Sequence, residues 1–453
     1  MRILIVGKYP PIQGGVSSST YITAQRLSKR GHIIDIVTNA NEVELCYRQM
    51  LMDEDEALLN NKNLKVHYTN PINKDCYIPF TNPFSTKLFG LASSVIENNR
   101  PDLIIGWYYE PFGFVASLLS KFYNIPCLLR HAGSDLGRLS KHSDLRKAYK
   151  VMLKQAEFII TSKTPQTINE LVSMGISEEK LTFLRGFKFP DYFNKKAEAL
   201  NIKKLNTHSE SWFNNLSIEP IIKQKIIVAN KKVFDTSKPT LGIFGKVGVT
   251  KGSYDLLNIL SELSNENLDF NFVAVSSGNY PTLTRYFNTI LSDEKLASKT
   301  FFLPVLPNWK IPNLLSTLDI AFFLERDFPI EFHTPKVPLE ILSSGKCLVV
   351  SKQIVDKNPY FESFVDNKNC VVVNPKEKQL FADKLRPLIT DKTLAKQIGT
   401  NGRHFYNFIQ DNMDDSLIFE DIIEQLTDRI AAANKSIAAS AASVPPGSSH
   451  PGH

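Results

Sequence analysis

Thr240-Leu241-Gly242-Ile243-Phe244-Gly245-Lys246-Val247-Gly248-Val249-Thr250-Lys251-Gly252 is the stretch on which the reading of this chain turns. An apolar run, Thr240–Phe244, stops at glycine and lysine, a second lysine follows five residues later, and Tyr254–Leu263 then has helical spacing. Such an order spells a buried strand, a loop and a helix. The same order opens the chain. Ile3–Val6 reads as a strand, Gly7 to Ser17 as a loop with adjacent Gly14 and Gly15, and Ser17–Arg30 as a helix with Tyr21, Ala24 and Leu27 on one face. The hydroxyls of Ser17 to Ser19 are its candidate N-caps.

Outward from these two starts, strands are expected at Ile33–Val37, Leu103–Gly106, Cys127–Arg130 and Phe158–Thr161 in the first half. In the second half they are expected at Phe270–Val275, Phe301–Leu303, Asp319–Leu324, Cys347–Ser351 and Val371–Val373, with a helix over Val337–Ser344 among the intervening segments. Strand-then-helix repeats imply parallel sheets wrapped by helices, hence an α/β fold of two doubly wound units, each with ligand-binding strand ends. The expected organisation is a first unit over 1–188, a linker with an insertion over 189–238, and a second unit over 239–405. A helix over 406–430 returns toward the first unit, and 431–453, rich in Ala, Ser, Pro and Gly, is a disordered tail.

Of the 453 residues, 43% are hydrophobic and 22% charged, which excludes a wholly disordered or collagen-like chain. No run approaches the roughly 18 apolar residues of a membrane span. The opening apolar run is too short for a signal peptide. Five scattered cysteines (Cys46, Cys76, Cys127, Cys347, Cys370) form no Cys-x-x-Cys pair, which argues against a disulfide framework or zinc site and for a cytoplasmic setting. The net charge of +7 is uneven: residues 1–188 carry 23 basic and 17 acidic residues, the remainder 30 and 29. That excess is either a solvated surface or a face for an anionic partner, such as the cytoplasmic side of a membrane. Without Lys/Arg-rich runs or interleaved aromatics, nucleic acid is not expected.

Lys246 and Lys251 flank a loop that opens a helix, a setting in which two cations and a helix N-terminus suit a diphosphate. Gly14 and Gly15 let backbone approach a ligand, although the loop is neither a Walker A sequence nor a Gly-x-Gly-x-x-Gly fingerprint. Glu340 falls in a short helix before Gly345 and the strand Cys347–Ser351, where a carboxylate can accept both hydroxyls of a ribose. His131 and Asp135 follow the strand Cys127–Arg130 and are candidates for substrate hydroxyls or phosphate. Asp53-Glu54-Asp55 lies in a stretch expected to be helical, Leu45 to Leu59, and reads as a solvated acidic face rather than a metal motif.

Taken together, these motifs resemble the family 4 glycosyltransferases, retaining enzymes of the GT-B fold with two Rossmann-like domains facing a cleft. The resemblance spans most of residues 1–410. Gly14-Gly15 with Leu27-Ser28-Lys29-Arg30-Gly31-His32 looks like the start of the family's acceptor domain. Gly245-Lys246 with Lys251-Gly252 matches its Gly-Arg…Lys-Gly clamp, lysine standing where arginine is usual, so charge is kept and bidentate geometry lost. Leu314 to Ala321, Pro338 to Val350 and Asp366 to Pro375 follow the pattern, with Cys370 in place of glycine. The family's two glutamates have seven residues between them, whereas Glu331 and Glu340 have eight, and the His131–Asp135 stretch carries one inserted alanine.

The resemblance implies transfer of a sugar from a nucleotide-diphospho-sugar, without a metal or other cofactor, to a glycan, lipid-linked, small-molecule or protein acceptor. It implies Lys246, Lys251, His131 and Glu331 as catalytic residues. Gly14, Gly15, Gly245, Lys246, Lys251, His333 and Glu340 are the implied donor contacts, and His131 and Asp135 the acceptor contacts. Other readings are a catalytically silent nucleotide-sugar binder, or a sugar-nucleotide epimerase, whose cleft would need several acid/base carboxylates and histidines.

Overall fold

The computed structural model describes residues 1–71, 83–184, 187–328, 335–357, 363–412 and 419–442. Its first sheet has seven strands, β1 (Arg2–Gly7), β2 (Ile33–Thr38), β3 (Leu64–Tyr68), β4 (Leu103–Trp107), β5 (Cys127–Arg130), β6 (Phe158–Ser162) and β7 (Leu181–Leu184), in the order β3-β2-β1-β4-β5-β6-β7. The second has six, β8 (Thr240–Lys246), β9 (Asn271–Ser277), β10 (Thr300–Leu303), β11 (Ile320–Phe323), β12 (Cys347–Ser351) and β13 (Val371–Val373), in the order β10-β9-β8-β11-β12-β13. Every paired strand is parallel, with registers such as Val6 beside Val37 and Gly106, and Ile243 beside Ala274.

Period-two alternation explains both cores. Leu4 and Val6 pack with Leu88, Ala92, Val115 and Met152 from helices on one face of the first sheet. Ile3 and Ile5 pack on the other face with Tyr21 and Leu27 from the helix Gly15–Lys29, and with Phe419 and Ile422 from the helix Phe419–Gln425. In the second sheet Leu241 and Phe272 meet Leu256 and Leu260, while Val273 and Val350 meet Ile341 and Tyr406. Strands buried on both faces read as continuous apolar runs, which is why most are visible in the sequence.

Several expectations are corrected. β3 and β7 are not among the strands expected from the sequence; both are edge strands, and in β3 polar Lys65 and His67 break the apolar run. Residues 189–238 contain the helices Asp191–Asn194, Ile202–Asn215 and Pro220–Asn230, whose Ile202, Leu205, Phe213, Ile222 and Ile226 enter the cores of the second sheet. Asn230 also lines the edge of β10: its Nδ2 donates to Phe302 O (2.7 Å) and its Oδ1 accepts from Phe302 N–H (2.8 Å). The helix Thr427–Ala442 runs through the expected start of the tail, with Ile430 in the first core and Asn434 Nδ2 donating to Asp102 O. Residues 443–453 and Cys76 lie outside the described residues. The other four cysteines are free and buried, and among the described residues no helix is long and apolar enough to cross a membrane.

The stretch expected to be helical from Leu45 to Leu59 instead forms two short turns, Leu45–Tyr47 and Asp53–Glu56, and reaches across to the second domain. Met50 N–H donates to Val305 O at 2.7 Å. Asp55 is not a solvated acid but 1% exposed, accepting from Trp309 Nε1 (2.7 Å), Lys310 Nζ (2.6 Å) and Met52 N–H (2.9 Å). One carboxylate thus ties the two domains. Removing one partner of a buried ion pair strands the other, so Asp55→Ala should lower stability by about 3 kcal/mol or more, read as a lower urea midpoint. A midpoint equal to wild type would show that the tie contributes nothing.

Candidate functional site

The carboxyl end of β8 delivers Lys246 to the gap between the domains. The loop beyond it closes on Gly252, whose φ of 66° and close approach to Leu324, where a Cβ would stand 2.3 Å from the carbonyl oxygen, admit no side chain. The helix Ser253–Asn265 starts there, without a side-chain cap. Lys246 is open to solvent yet walled closely by protein; desolvation first, then Lys251 and Arg138, lower its pKa. Lys251 forms an ion pair with Glu325, a 3% exposed residue just past β11, and its Nζ sits 4.3 Å from the Phe328 ring centroid. The two lysines expected from the sequence are therefore brought together at one loop.

Glu340 lies in the helix Val337–Ser343, which stops before Gly345 at φ 66°. It is buried, with Asn308 Nδ2 at 3.5 Å from its Oε1, and Asn308 Oδ1 in turn accepts from the Tyr192 hydroxyl at 2.5 Å. Burial pushes its carboxyl up to about 7, against the opposing pull of Lys336. Lys336, four residues earlier, donates to Ser19 Oγ of the first domain at 2.8 Å, with Nζ 2.9 Å from the Phe187 ring centroid. Desolvation drives its pKa well down. Glu331 and His333 fall outside the described residues.

In the first domain, Gly14 caps the helix Gly15–Lys29 with φ 107° and, among the described residues, nothing within 4 Å of where a Cβ would stand. The serine hydroxyls expected to cap this helix do not: Ser19 Oγ donates to Gly15 O, and Ser17 Oγ is buried without a partner among the described residues. Uncapped first-turn N–H groups beside open space suit an anion. His131 follows β5, its Nε2 2.7 Å from Thr161 Oγ1 and its Nδ1 buried without a partner among the described residues. Desolvation lowers its pKa, favouring the neutral ring. Asp135 is fully buried rather than facing a substrate. Its carboxylate accepts from Tyr109 N–H (2.9 Å), Ala132 N–H (2.9 Å) and Leu136 N–H (3.0 Å), which fixes the loops after β4 and β5. It is a positioning residue.

Four site residues lie beyond what the sequence motifs indicate. Lys8 follows β1, with Nζ 4.0 Å from the Tyr108 ring centroid and its pKa lowered to about 8, chiefly by desolvation. Lys336 was detectable from its position one helical turn before Glu340. Glu325 and Asn308 carried no signal, because their partners Lys251 and Glu340 are 74 and 32 residues away. Across the gap, Ser277 Oγ donates to Gln13 Oε1 at 2.7 Å. The arrangement gathers cations and helix-start N–H groups between two sheets, with a buried carboxylate on the second. That is chemistry for an anionic ligand bearing hydroxyls. Among the described residues, no group of three or more His, Cys, Asp or Glu is placed to hold a metal ion.

Comparison with known proteins agrees with this architecture. Residues 13–185 match the family described as Glycosyltransferase Family 4, and residues 225–405 match Glycosyl transferases group 1. None of the curated proteins compared with the chain matches it in sequence. Among solved structures, a sucrose-phosphate synthase from Thermosynechococcus elongatus is 13% identical with a TM-score of 0.62, the alignment covering 95% of this chain and 99% of that one. HepE of Anabaena, in complex with UDP-glucose, is 15% identical at TM-score 0.56, covering 98% and 100%. WaaG, a glycosyltransferase involved in lipopolysaccharide biosynthesis, is 14% identical at TM-score 0.56, covering 96% and 99%. These likenesses are of fold: two facing parallel sheets of the GT-B type. With the two family matches together spanning well over half of its length, the chain belongs to the group 1, family 4-like glycosyltransferases.

Proposed function

We propose that the chain moves a sugar from a nucleoside-diphospho-sugar to an acceptor with retention of configuration and without a metal ion. The observation carrying this reading is the pair Lys246 and Lys251, at the carboxyl end of β8 and the start of the helix Ser253–Asn265. A related fold, HepE, holds UDP-glucose and UDP, which supports a nucleotide-sugar donor. In this reading the bond from the anomeric carbon to the diphosphate breaks, and one from the acceptor oxygen forms on the same face. The acceptor proton leaves with a phosphate oxygen. Lys246 and Lys251 offset the charge gathering on the diphosphate, the strongest stabilisation such a site can supply to the transition state. Gly14, Gly15 and Gly245 let backbone approach the donor, Glu340 accepts from the ribose hydroxyls, and the neutral His131 faces the transferred sugar and acceptor.

The acceptor is a glycan, a lipid-linked sugar, a small molecule or a protein, and the setting is glycan biosynthesis in the cytoplasm, at the membrane face. Support for the last point is a surface: apart from the stacked Arg130 and the fully buried Asp135, residues 114–155 hold seven basic residues and one acidic. Leu118, Phe122 and Val151 stand exposed there beside Lys121, Lys147 and Lys154, with Phe122 70% exposed. Apolar side chains among lysines match an anionic bilayer.

Incubation with mixed nucleotide sugars should release a nucleoside diphosphate; no release with any donor would refute transfer. Lys251→Ala should lower turnover roughly 100-fold, measured below its unfolding midpoint because Glu325 loses this partner. Binding to anionic vesicles should fade as salt rises, and binding that ignores salt would dismiss the membrane face. Glu340→Gln should weaken nucleoside diphosphate binding by roughly 10- to 150-fold in calorimetry, the scale of a lost charged acceptor.

The same carboxyl sets a pH signature. Between its ordinary value of 4.5 and about 7, native Glu340 keeps a proton that the unfolded chain has released. Its contribution is therefore present at low pH and lost as pH rises through that window, by up to ~3 kcal/mol. Lys336, lowered rather than raised, acts with the opposite sign. Denaturation of Glu340→Gln across this range should show less decline with pH than wild type; identical slopes would contradict the raised carboxyl.

A further inference from the structure

The two sheets begin alike. Ile5-Val6-Gly7-Lys8 ends β1, and Ile243-Phe244-Gly245-Lys246 ends β8. Each is the strand at which the order of its sheet reverses, flanked by β2 and β4 in one case and by β9 and β11 in the other. Ligands of doubly wound sheets lie at that point. Lys8 is therefore the first-domain counterpart of Lys246, whose charge, after desolvation, lowers the Lys8 pKa.

Neither lysine has a carboxylate partner among the described residues. The acid nearest in charge to Lys8 is Asp135, and both its oxygens are taken by backbone N–H groups. Lys8 rests instead on the Tyr108 ring, and Tyr108 is fixed by its hydroxyl against Ser134 Oγ (2.9 Å) and by a left-handed backbone, φ 81°. A non-glycine residue held in that conformation at a strand end is the kind of strain that persists at functional sites. Two like charges gathered from opposite domains and left without a counterion are unfavourable unless a ligand brings the missing anion. Lys246, moreover, offers a single point charge where the family's arginine would offer a fork.

We propose that Lys8 is a catalytic residue, the first-domain half of a two-sided clamp on the departing diphosphate. This rests on the donor reading above. Lys246 and Lys251 hold the diphosphate from one side and Lys8 from the other, so the full counter-charge is assembled only when both domains engage one nucleotide.

The test uses the full chain with UDP, GDP and ADP as probes in calorimetry, and diphosphate release from the corresponding glucose donors as the rate. Lys8→Met should weaken binding of the preferred diphosphate by about 10-fold or more and lower kcat by about 100-fold. Lys8→Arg should recover most of both. The unfolding midpoint of Lys8→Met should equal or exceed that of wild type, since a desolvated, repelled charge has been removed. Lys8→Gln serves if the methionine variant does not fold. Wild-type binding and turnover retained in both neutral variants would overturn the clamp while leaving the donor reading intact. So would losses that follow a lowered midpoint and are not recovered by arginine. Wild-type protein that binds none of the three diphosphates would remove the donor reading and the clamp together.

Discussion

In both sheets every strand runs the same way, and that constraint decides where chemistry can gather. Parallel strands return through helices that cover both faces of the sheet, so the loops leaving the strands emerge together along one rim. The order β3-β2-β1-β4 and the order β9-β8-β11 each reverse at the first strand, which parts the covering helices and opens a crevice there. Lys8, Gly14, Tyr108 and His131 are delivered by the first rim, Lys246, Lys251, Glu325 and Lys336 by the second. Neither set would meet if one strand of the central group ran antiparallel.

Gathering cations has an energetic consequence. Desolvation lowers the pKa of Lys8, Lys246 and Lys336 alike, so each is held less comfortably than in water. Arg130 is lowered too, to about 9 and chiefly by desolvation, although it stacks 4.1 Å from the Trp107 ring centroid and 4.7 Å from that of Phe419, whereas Lys251 is accompanied by Glu325. Among the described residues, Lys336 has Ser19 Oγ and Lys251 has Glu325 as partners, whereas Lys8 and Lys246 have no carboxylate partner. Binding an anion would restore Lys8 and Lys246 toward their ordinary pKa and so stabilise the folded chain.

How much of this is legible in the sequence follows from the same physics. β5, β12 and β13 match their sequence-based bounds residue for residue, because their runs Cys127–Leu129, Cys347–Val350 and Val371–Val373 are apolar without a break. The loop Lys246–Gly252 is legible because its meaning is local: strand end, two cations, helix start. Asp55 is not, since its partners Trp309 and Lys310 lie more than 250 residues away. Asp135 misleads for a subtler reason. A carboxylate after a strand can serve a substrate or the loop itself, and only the three backbone N–H groups aimed at it decide which. The helices within 189–238 are hidden by their many Lys and Asn residues, although Leu205 and Phe213, or Ile222 and Ile226, share one face at helical spacing.

The chain's end adds a connection between the outer packing and the site. After the helix Lys392–Asp411 on the second domain, the helix Phe419–Gln425 lies on the first, where Arg30 pairs with Asp421 (2.6 Å) and Glu424 (3.0 Å). Phe419 stacks on Trp107 with centroids 4.8 Å apart. Trp107 is the last residue of β4, and the next, Tyr108, turns into the left-handed region to hold Lys8. Three contacts thus run from the crossing helix to the ammonium group: ring on ring, strand end into strained residue, ring under cation. Because the crossing helix belongs by sequence to the segment leaving the second domain, the seat of Lys8 depends on how the two domains are joined. The position of the first-domain cation and the path between the domains are thus fixed by the same side chains.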